Sequence, residues 1–304
     1  MSLRSLVTAA CMLSGVLFGA IYQAPCLAAE RVYTVYAAGD IAYCAHKPAL
    51  LSDANDTAKL VEAGLAASGS AAAVLLLGDN VYQRGTDAEY RDCYDPTWGR
   101  FKKRTYPAPG NHEYYSPGAP GYYAYFGKAA GRGYYSVDLG AWHVVSLDSN
   151  LKGAAQQAQL DWLKHDLAAS AARCTLAYWH YPLYSSGWHG SIAVMQPAWE
   201  LLHQAGAELV LSGHDHVYER FAPQDAQGRP DAARGIRQFV VGTGGAYYTP
   251  FKLPLENSEM RDNSRFGVLK LVLREASYEW EFLEASYDGL PNGQQADRGQ
   301  GKCH

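Results

Sequence analysis

Residues 73–82 read Ala73-Val74-Leu75-Leu76-Leu77-Gly78-Asp79-Asn80-Val81-Tyr82. Five apolar residues in a row, then glycine and an acid, describe a strand buried on both faces that stops abruptly at a polar edge. The same grammar recurs along the chain. Tyr33-Thr-Val-Tyr-Ala-Ala runs into Gly39-Asp40, and Tyr106-Pro-Ala-Pro into Gly110-Asn111-His112-Glu113. Leu176-Ala-Tyr-Trp runs into His180, and Leu209-Val-Leu-Ser into Gly213-His214-Asp215-His216. Between these runs lie helix-like patterns over 52–67, 88–101, 156–167 and 195–205. Tyr135–Leu139 and Trp142–Leu147 flank Gly140-Ala141 as a hairpin. Beyond residue 208 the runs 236–241, 266–273 and 278–283 read as strands with few helices between them. Alternating strands and helices, then sheet alone, indicate one α/β domain.

In a parallel α/β sheet the carboxyl ends of the strands share one edge, where ligands bind. Five strand ends therefore carry Asp40, Asp79, Tyr82, Asn111, His180, His214 and His216 to a single rim. Each alone has a plainer reading: an acid after a strand is often a turn or a helix cap. Five coincidences at strand ends are harder to sustain, and two imidazoles at i and i+2 in a loop suit one ion. Glycine before four of the sites is expected to permit the tight turn that brings each side chain back to the rim.

The ordered set Gly39-Asp40, Gly78-Asp79-Asn80-Val81-Tyr82, Gly110-Asn111-His112-Glu113, His180 and Gly213-His214-Asp215-His216 resembles the purple acid phosphatases within the calcineurin-like metallophosphoesterases. The motifs span some three-fifths of the chain. The wider superfamily has Asp-x-His at the first site; here Asp40-Ile41-Ala42 lacks that histidine, and Tyr82 stands in its place as in the purple subgroup. Ala42 departs from the glycine common there. The resemblance implies a four-layer α/β/β/α sandwich, two mixed β-sheets flanked by helices. It also implies two metal ions. Asp40, Asp79, Tyr82 and His216 would hold one, and Asp79, Asn111, His180 and His214 the other, with Asp79 shared. The first set, with a phenolate and two carboxylates, suits Fe(III); the second suits Fe(II), Zn(II) or Mn(II). The implied reaction is hydrolysis of phosphate monoesters by in-line attack of a metal-bound hydroxide, with His112 and His189 contacting substrate and protonating the leaving group. A phosphodiesterase or nucleotide hydrolase with the same metals is the rival reading, and a catalytically retired binding protein a more distant one. No Gly-x-Ser-x-Gly elbow points to a serine hydrolase.

Composition sets the context. The chain has 304 residues, 48% hydrophobic and 18% charged, with a formal net charge of −4. That apolar fraction excludes a disordered chain. No run of Lys or Arg stands out, which argues against a nucleic-acid or anionic-membrane partner; the resemblance implies a small phosphorylated substrate. Arg4 followed by an apolar stretch from Leu6 to Ile21 and small residues at 26–29 reads as a signal peptide over 1–29. The stretch is shorter than the ~20 residues that span a bilayer, and neither Cys11 nor Cys26 follows a lipoprotein box. The expected product is a secreted or periplasmic catalytic domain over 30–304 with no membrane anchor. It retains Cys44, Cys93, Cys174 and Cys303, for which three pairings exist; Cys44–Cys93 with Cys174–Cys303 is the one expected, against free thiols or thiolate ligands. Tyrosine is abundant, at 23. Those in the segment 114–135 read either as an aromatic rim or as loop packing, and Gly244–Tyr248 as a neighbour of the same cleft. Glu113 is expected to support the site from behind. His46, His143, His165, His203 and His304 match no motif, and His143 and His165 are read as structural.

Overall fold

The computed structural model describes residues 32–286 and 297–304; the proposed signal peptide lies outside them. Two mixed sheets face each other. The first has the order β13-β12-β11-β1-β2-β3, built from β1 (Tyr33–Ala38), β2 (Ala72–Leu77), β3 (Thr105–Ala108), β11 (Gly267–Leu273), β12 (Ser277–Glu284) and β13 (Arg298–Lys302). The second runs β10-β8-β9-β7-β6-β5-β4. Its strands are β4 (Tyr135–Leu139), β5 (Trp142–Ser146), β6 (Cys174–Tyr178), β7 (Leu209–Ser212), β8 (Tyr218–Phe221), β9 (Arg237–Val241) and β10 (Ser258–Asp262). Strands β1, β2 and β3 are parallel to one another, as are β5, β6, β7 and β9.

The period-two rule explains why the central strands read as unbroken apolar runs. Val144, Leu176, Tyr178, Leu209 and Leu211 join the core between the sheets. Their neighbours Val145, Ala177, Trp179 and Val210 join a second core on the opposite face. Both faces are buried, so no polar alternation survives. Ring contacts mark the inter-sheet seam: Trp142 with Tyr278, Tyr218 stacked on Phe282 at 4.2 Å, and Phe239 with Trp280. Outside the second sheet pack α5 (Gly153–Ala169) through Leu163 and α6 (Gln196–Ala205) through Trp199 and Leu202. Outside the first lies α1 (Asp53–Ser68), burying Ala54, Ala58, Val61 and Leu65 at helical spacing. Its N-terminus is capped by Ser52, whose hydroxyl accepts from Asn55 N at 3.3 Å. The four layers are those the motif resemblance implies.

Three segments depart from the sequence reading. The helix expected over 88–101 is a broken series: α2 (Asp87–Glu89), a π-turn at Tyr90–Tyr94 and a 3₁₀ segment at Trp98–Arg104. Pro96 and Gly99 interrupt it, and the disulfide Cys44–Cys93 pins its middle. The region after His112 is not all loop, because it holds α3 (Asn111–Tyr114) and α4 (Pro120–Phe126). Strands β8, β10 and β13 were not legible; β13, Arg-Gly-Gln-Gly-Lys, has no apolar residue at all. Its glycines lie where a side chain would strike Trp280 and Tyr278, so it pairs through backbone over aromatic rings. The second expected disulfide, Cys174–Cys303, is also present and ties this terminal strand to β6. Among the described residues no helix is long and apolar enough to cross a membrane.

Candidate active site

All seven proposed ligands lie just beyond the carboxyl ends of parallel strands. Asp40 follows β1, Asp79 and Tyr82 follow β2, Asn111 opens α3 after β3, His180 follows β6, and His214 and His216 follow β7. The two sheets are stitched together at this edge. Gly39 N donates to Val241 O at 2.9 Å, and the His180 Nδ1 lies 2.9 Å from Leu77 O. Asp40, Asp79 and His214 all sit in the left-handed region, with φ of 59°, 49° and 72°. Such a conformation costs a non-glycine residue on the order of 1–3 kcal/mol and persists only when neighbours impose it. Here they do: Asp40 N donates to Gly78 O, Asp79 N to Glu113 Oε2, and His214 N to Asp40 Oδ2.

The glycines serve closeness more than turning. Of the four before the sites, only Gly78 has a left-handed φ. A Cβ on Gly213 would stand 2.6 Å from Asp40 Oδ2, one on Gly78 2.7 Å from His180 Nδ1, and one on Gly110 would collide with Asp79. The bend itself falls on the aspartates and His214.

The side chains form two groups joined at Asp79. In the first, Tyr82 Oη lies 2.9 Å from Asp40 Oδ1, 3.1 Å from His216 Nε2 and 3.3 Å from Asp79 Oδ2. In the second, His180 Nε2 lies 3.0 Å from Asn111 Oδ1 and 3.2 Å from Asp79 Oδ2; Asp79, His180 and His214 bring ligand atoms within 4.8 Å of one another. His180 and His216 each turn Nδ1 to a backbone carbonyl, of Leu77 and Tyr247, so that Nδ1 carries a proton and Nε2 is the atom that faces the carboxylates. Acceptors this close are stable only with positive charge among them. A proton can serve: burial alone would lower His180, but Asp79 pushes it up to about 9. His216, lowered by burial, is likewise raised by Asp40. Burial raises both carboxyls, yet His216 holds Asp40, and His180 holds Asp79, below the usual carboxylate range. Burial and then the charge of His180 lower His214 to about 3, leaving a neutral imidazole. Burial and the two aspartates push the Tyr82 phenol well up. Two carboxylates, a phenol, an amide oxygen and three imidazoles converge here, a donor set that fits metal cations. Cys174, Glu208 and Cys303 also cluster, but their cysteines are spent in the disulfide.

Two carboxylates build the site without joining it. Glu113 is wholly buried. It accepts from the backbone N–H groups of Asp79, Asn80 and Gly110 at 2.7–3.1 Å and from the Tyr90 hydroxyl. It thus locks the turn after β2 to the turn after β3, as expected of a supporting residue; burial and nearby Asp79 raise it to about 7. Asp215, between the two histidines, faces away from them. It accepts from Ser185 Oγ at 2.5 Å, His189 N at 2.7 Å and Gly190 N at 3.1 Å. Nothing in the sequence marks Asp215 as the anchor of a loop some 25 residues upstream.

The sequence model of the calcineurin-like phosphoesterases matches residues 26–218. The chain belongs to that family. Among its curated relatives, purple acid phosphatase 23 of Arabidopsis thaliana is 34% identical over 160 residues, covering 44% of this chain and 35% of that protein. Probable purple acid phosphatase 20 of the same plant is 25% identical over 233 residues, covering 64% and 53%. The chain thus spans about half or less of the length of these relatives. Of solved structures, the purple acid phosphatase PPD1 from yellow lupin (Lupinus luteus) superposes with a TM-score of 0.68 at 21% identity, covering 88% of this chain and 53% of that one. GAP50 of Plasmodium, described as the anchor in the inner membrane complex, superposes at 0.69 with 13% identity over 90% and 89%. These two likenesses concern the fold.

Above the clustered ligands this calcineurin-like phosphoesterase has a cleft of about 600 Å³, lined by Asp79, Asn111, His112, His189, His214 and His216 and by the residues discussed next. His112 Nδ1 lies 2.8 Å from Gln83 O, its Nε2 3.8 Å from Asp79 Oδ2, and its N donates to Asp79 Oδ1. The His189 ring sits 4.5 Å from that of His214. Of the tyrosines in 114–135, only Tyr114 and Tyr115 line the cleft; Tyr122 is buried, and Tyr123, Tyr125, Tyr134 and Tyr135 pack elsewhere. Packing therefore accounts for most of them. Tyr181 and Tyr247 complete the rim, the latter from the 244–248 segment that the sequence placed nearby. His143 bridges Asp138 and Asp166 at 3.0 and 2.8 Å, a structural tie between β4 and α5.

Proposed function

We propose that this phosphoesterase is an exported phosphatase with a dinuclear metal centre, hydrolysing phosphate monoesters. The carrying observation is the position of Asp79, whose Oδ2 reaches both Tyr82 of one donor group and His180 of the other. Asp40, Asp79, Tyr82 and His216 would hold Fe(III). Asp79, Asn111, His180 and His214 would hold Fe(II), Zn(II) or Mn(II). When bound, such a pair supplies Lewis acidity toward the phosphoryl oxygens and a water acidified enough to serve as nucleophile.

The remaining work belongs to the chain. His112 is held by its backbone N–H on Asp79 and its Nδ1–H on Gln83 O, which leaves Nε2 as the atom that, in the imidazolium form of the ring, would pass a proton to an ester oxygen and return to a lone pair. His189 is presented by the loop that Asp215 anchors and supplies a second imidazole on the His214 side. The tyrosine rim offers flat apolar surface to an organic leaving group. Two disulfides accord with an oxidising compartment, and so support the reading of 1–29 as a signal peptide ahead of a catalytic domain over 30–304.

The test is elemental analysis of the exported protein alongside paired assays on an aryl monoester and the matching diester. Two metal equivalents, one of them iron, with the monoester preferred, is the expected result. A diester preference would move the reading to a phosphodiesterase. Full activity in metal-free protein would end it.

A further inference from the structure

The cleft is nearly devoid of fixed positive charge. Of the described residues that line it, Lys152 is the one lysine or arginine. It follows Leu151 in extended backbone (φ −136°, ψ 157°) at the point where α5 begins. No ion pair or hydrogen bond joins its ammonium to a described residue; some other lysines and arginines here pair with acids, as Lys47 does with Asp53 and Arg265 with Glu284, and what sets Lys152 apart is its place in the cleft. The backbone beneath it is held, because Gln156 Nε2 in the first turn of α5 donates to Val194 O at 2.9 Å. Ile192 and Val194 form the wall on that side. An unpaired cation on a held stretch of backbone, in the same cleft as the reacting group but bonded to no member of it, suits an anion carried elsewhere on the substrate.

We infer that Lys152 is a specificity residue, selecting phosphate esters whose leaving group bears a second negative charge. The inference rests on the phosphatase reading above and adds to it a substrate class. The scissile phosphate is engaged by the Asp79 side of the cleft. A cation bound there would improve every ester alike, whereas Lys152 discriminates by what lies beyond the ester oxygen. Lys152 is exposed, so its attraction is of the screened, surface kind and its effect is modest.

Three esters of matched shape test this: phenyl phosphate, 4-carboxyphenyl phosphate and 4-phosphonophenyl phosphate, the last two separating a carboxylate from a phosphoryl-type anion. The readout is the ratio of kcat/KM for each charged ester over phenyl phosphate, which cancels general damage to the enzyme. In Lys152→Ala the ratio should fall about two- to fivefold, the range of an exposed ion pair. Lys152→Glu should lower it further, and Lys152→Arg should restore it. In the wild type the ratio should shrink as ionic strength rises. A binding arm compares dissociation constants of phenylphosphonate and 4-carboxyphenylphosphonate by calorimetry, where the same ratio should move. An unchanged ratio in Lys152→Ala, in catalysis and binding, overturns the inference and leaves the phosphatase reading intact. Failure of the wild type to hydrolyse any of the three esters removes both.

Discussion

Two single residues give the sharpest tests. Tyr82 is a phenol pushed far from ionisation by burial and two aspartates, so only a strong cation beside it makes it a phenolate. Bound to Fe(III), that phenolate should give a visible charge-transfer band. Tyr82→Phe should abolish the band while iron remains measurable by elemental analysis; an unchanged spectrum would place the iron elsewhere. His112 makes a separate prediction. If it protonates the leaving group, His112→Ala should cost about 10²–10⁴ on an alkyl ester and much less on p-nitrophenyl phosphate, whose leaving group needs little help. Equal losses on both would remove that role.

At the scale of elements, the site is made by turns locked to one another. Asp215, fully buried, satisfies three donors of the loop that carries His189. Asp215→Ala leaves those donors unpaired, at a cost of about 1–3 kcal/mol each, and should displace the loop. The expected consequence is a roughly tenfold loss of kcat/KM that is not additive with His189→Ala. A double mutant showing the full product of the two losses would mean that Asp215 acts by another route. Element boundaries were legible where apolar runs were long. The β1, β2, β6 and β7 strands and helices α1, α5 and α6 fall within a few residues of their sequence positions. Strand β13 was not legible, because a backbone-only strand leaves no hydrophobic period to read.

For the whole molecule, the Cys174–Cys303 link closes a loop between residues 129 positions apart. Cys303→Ser should cost about 2–5 kcal/mol, seen as a lower Tm. Beside it, Glu208 is buried against Thr175 N and His304 N, and burial raises it to about 7 from an ordinary 4.5. The folded state therefore holds a proton that the unfolded state releases between those values. This contribution to stability is complete below about pH 4.5 and is lost as pH rises through about 7. Tm measured from pH 4.5 to 7.5 should fall less steeply in Glu208→Gln than in the wild type; parallel curves would refute this.

The sequence by itself determined the strand ends. Long apolar runs halted by Gly-Asp, Gly-Asn-His and Gly-His-Asp-His specify buried parallel strands and a shared polar rim, because side-chain period and ligand type are local properties. Which side chains meet was decided only by tertiary structure. The sheets had to pack face to face before Tyr82 from one could lie against His216 from the other, and before Glu113 and Asp215 found their backbone donors. Those partners are distant in sequence, and their hydrogen bonds are to groups that every residue possesses, so no pattern of residue types could announce them. The same holds for Lys152, one lysine among many until the fold leaves it alone in the cleft.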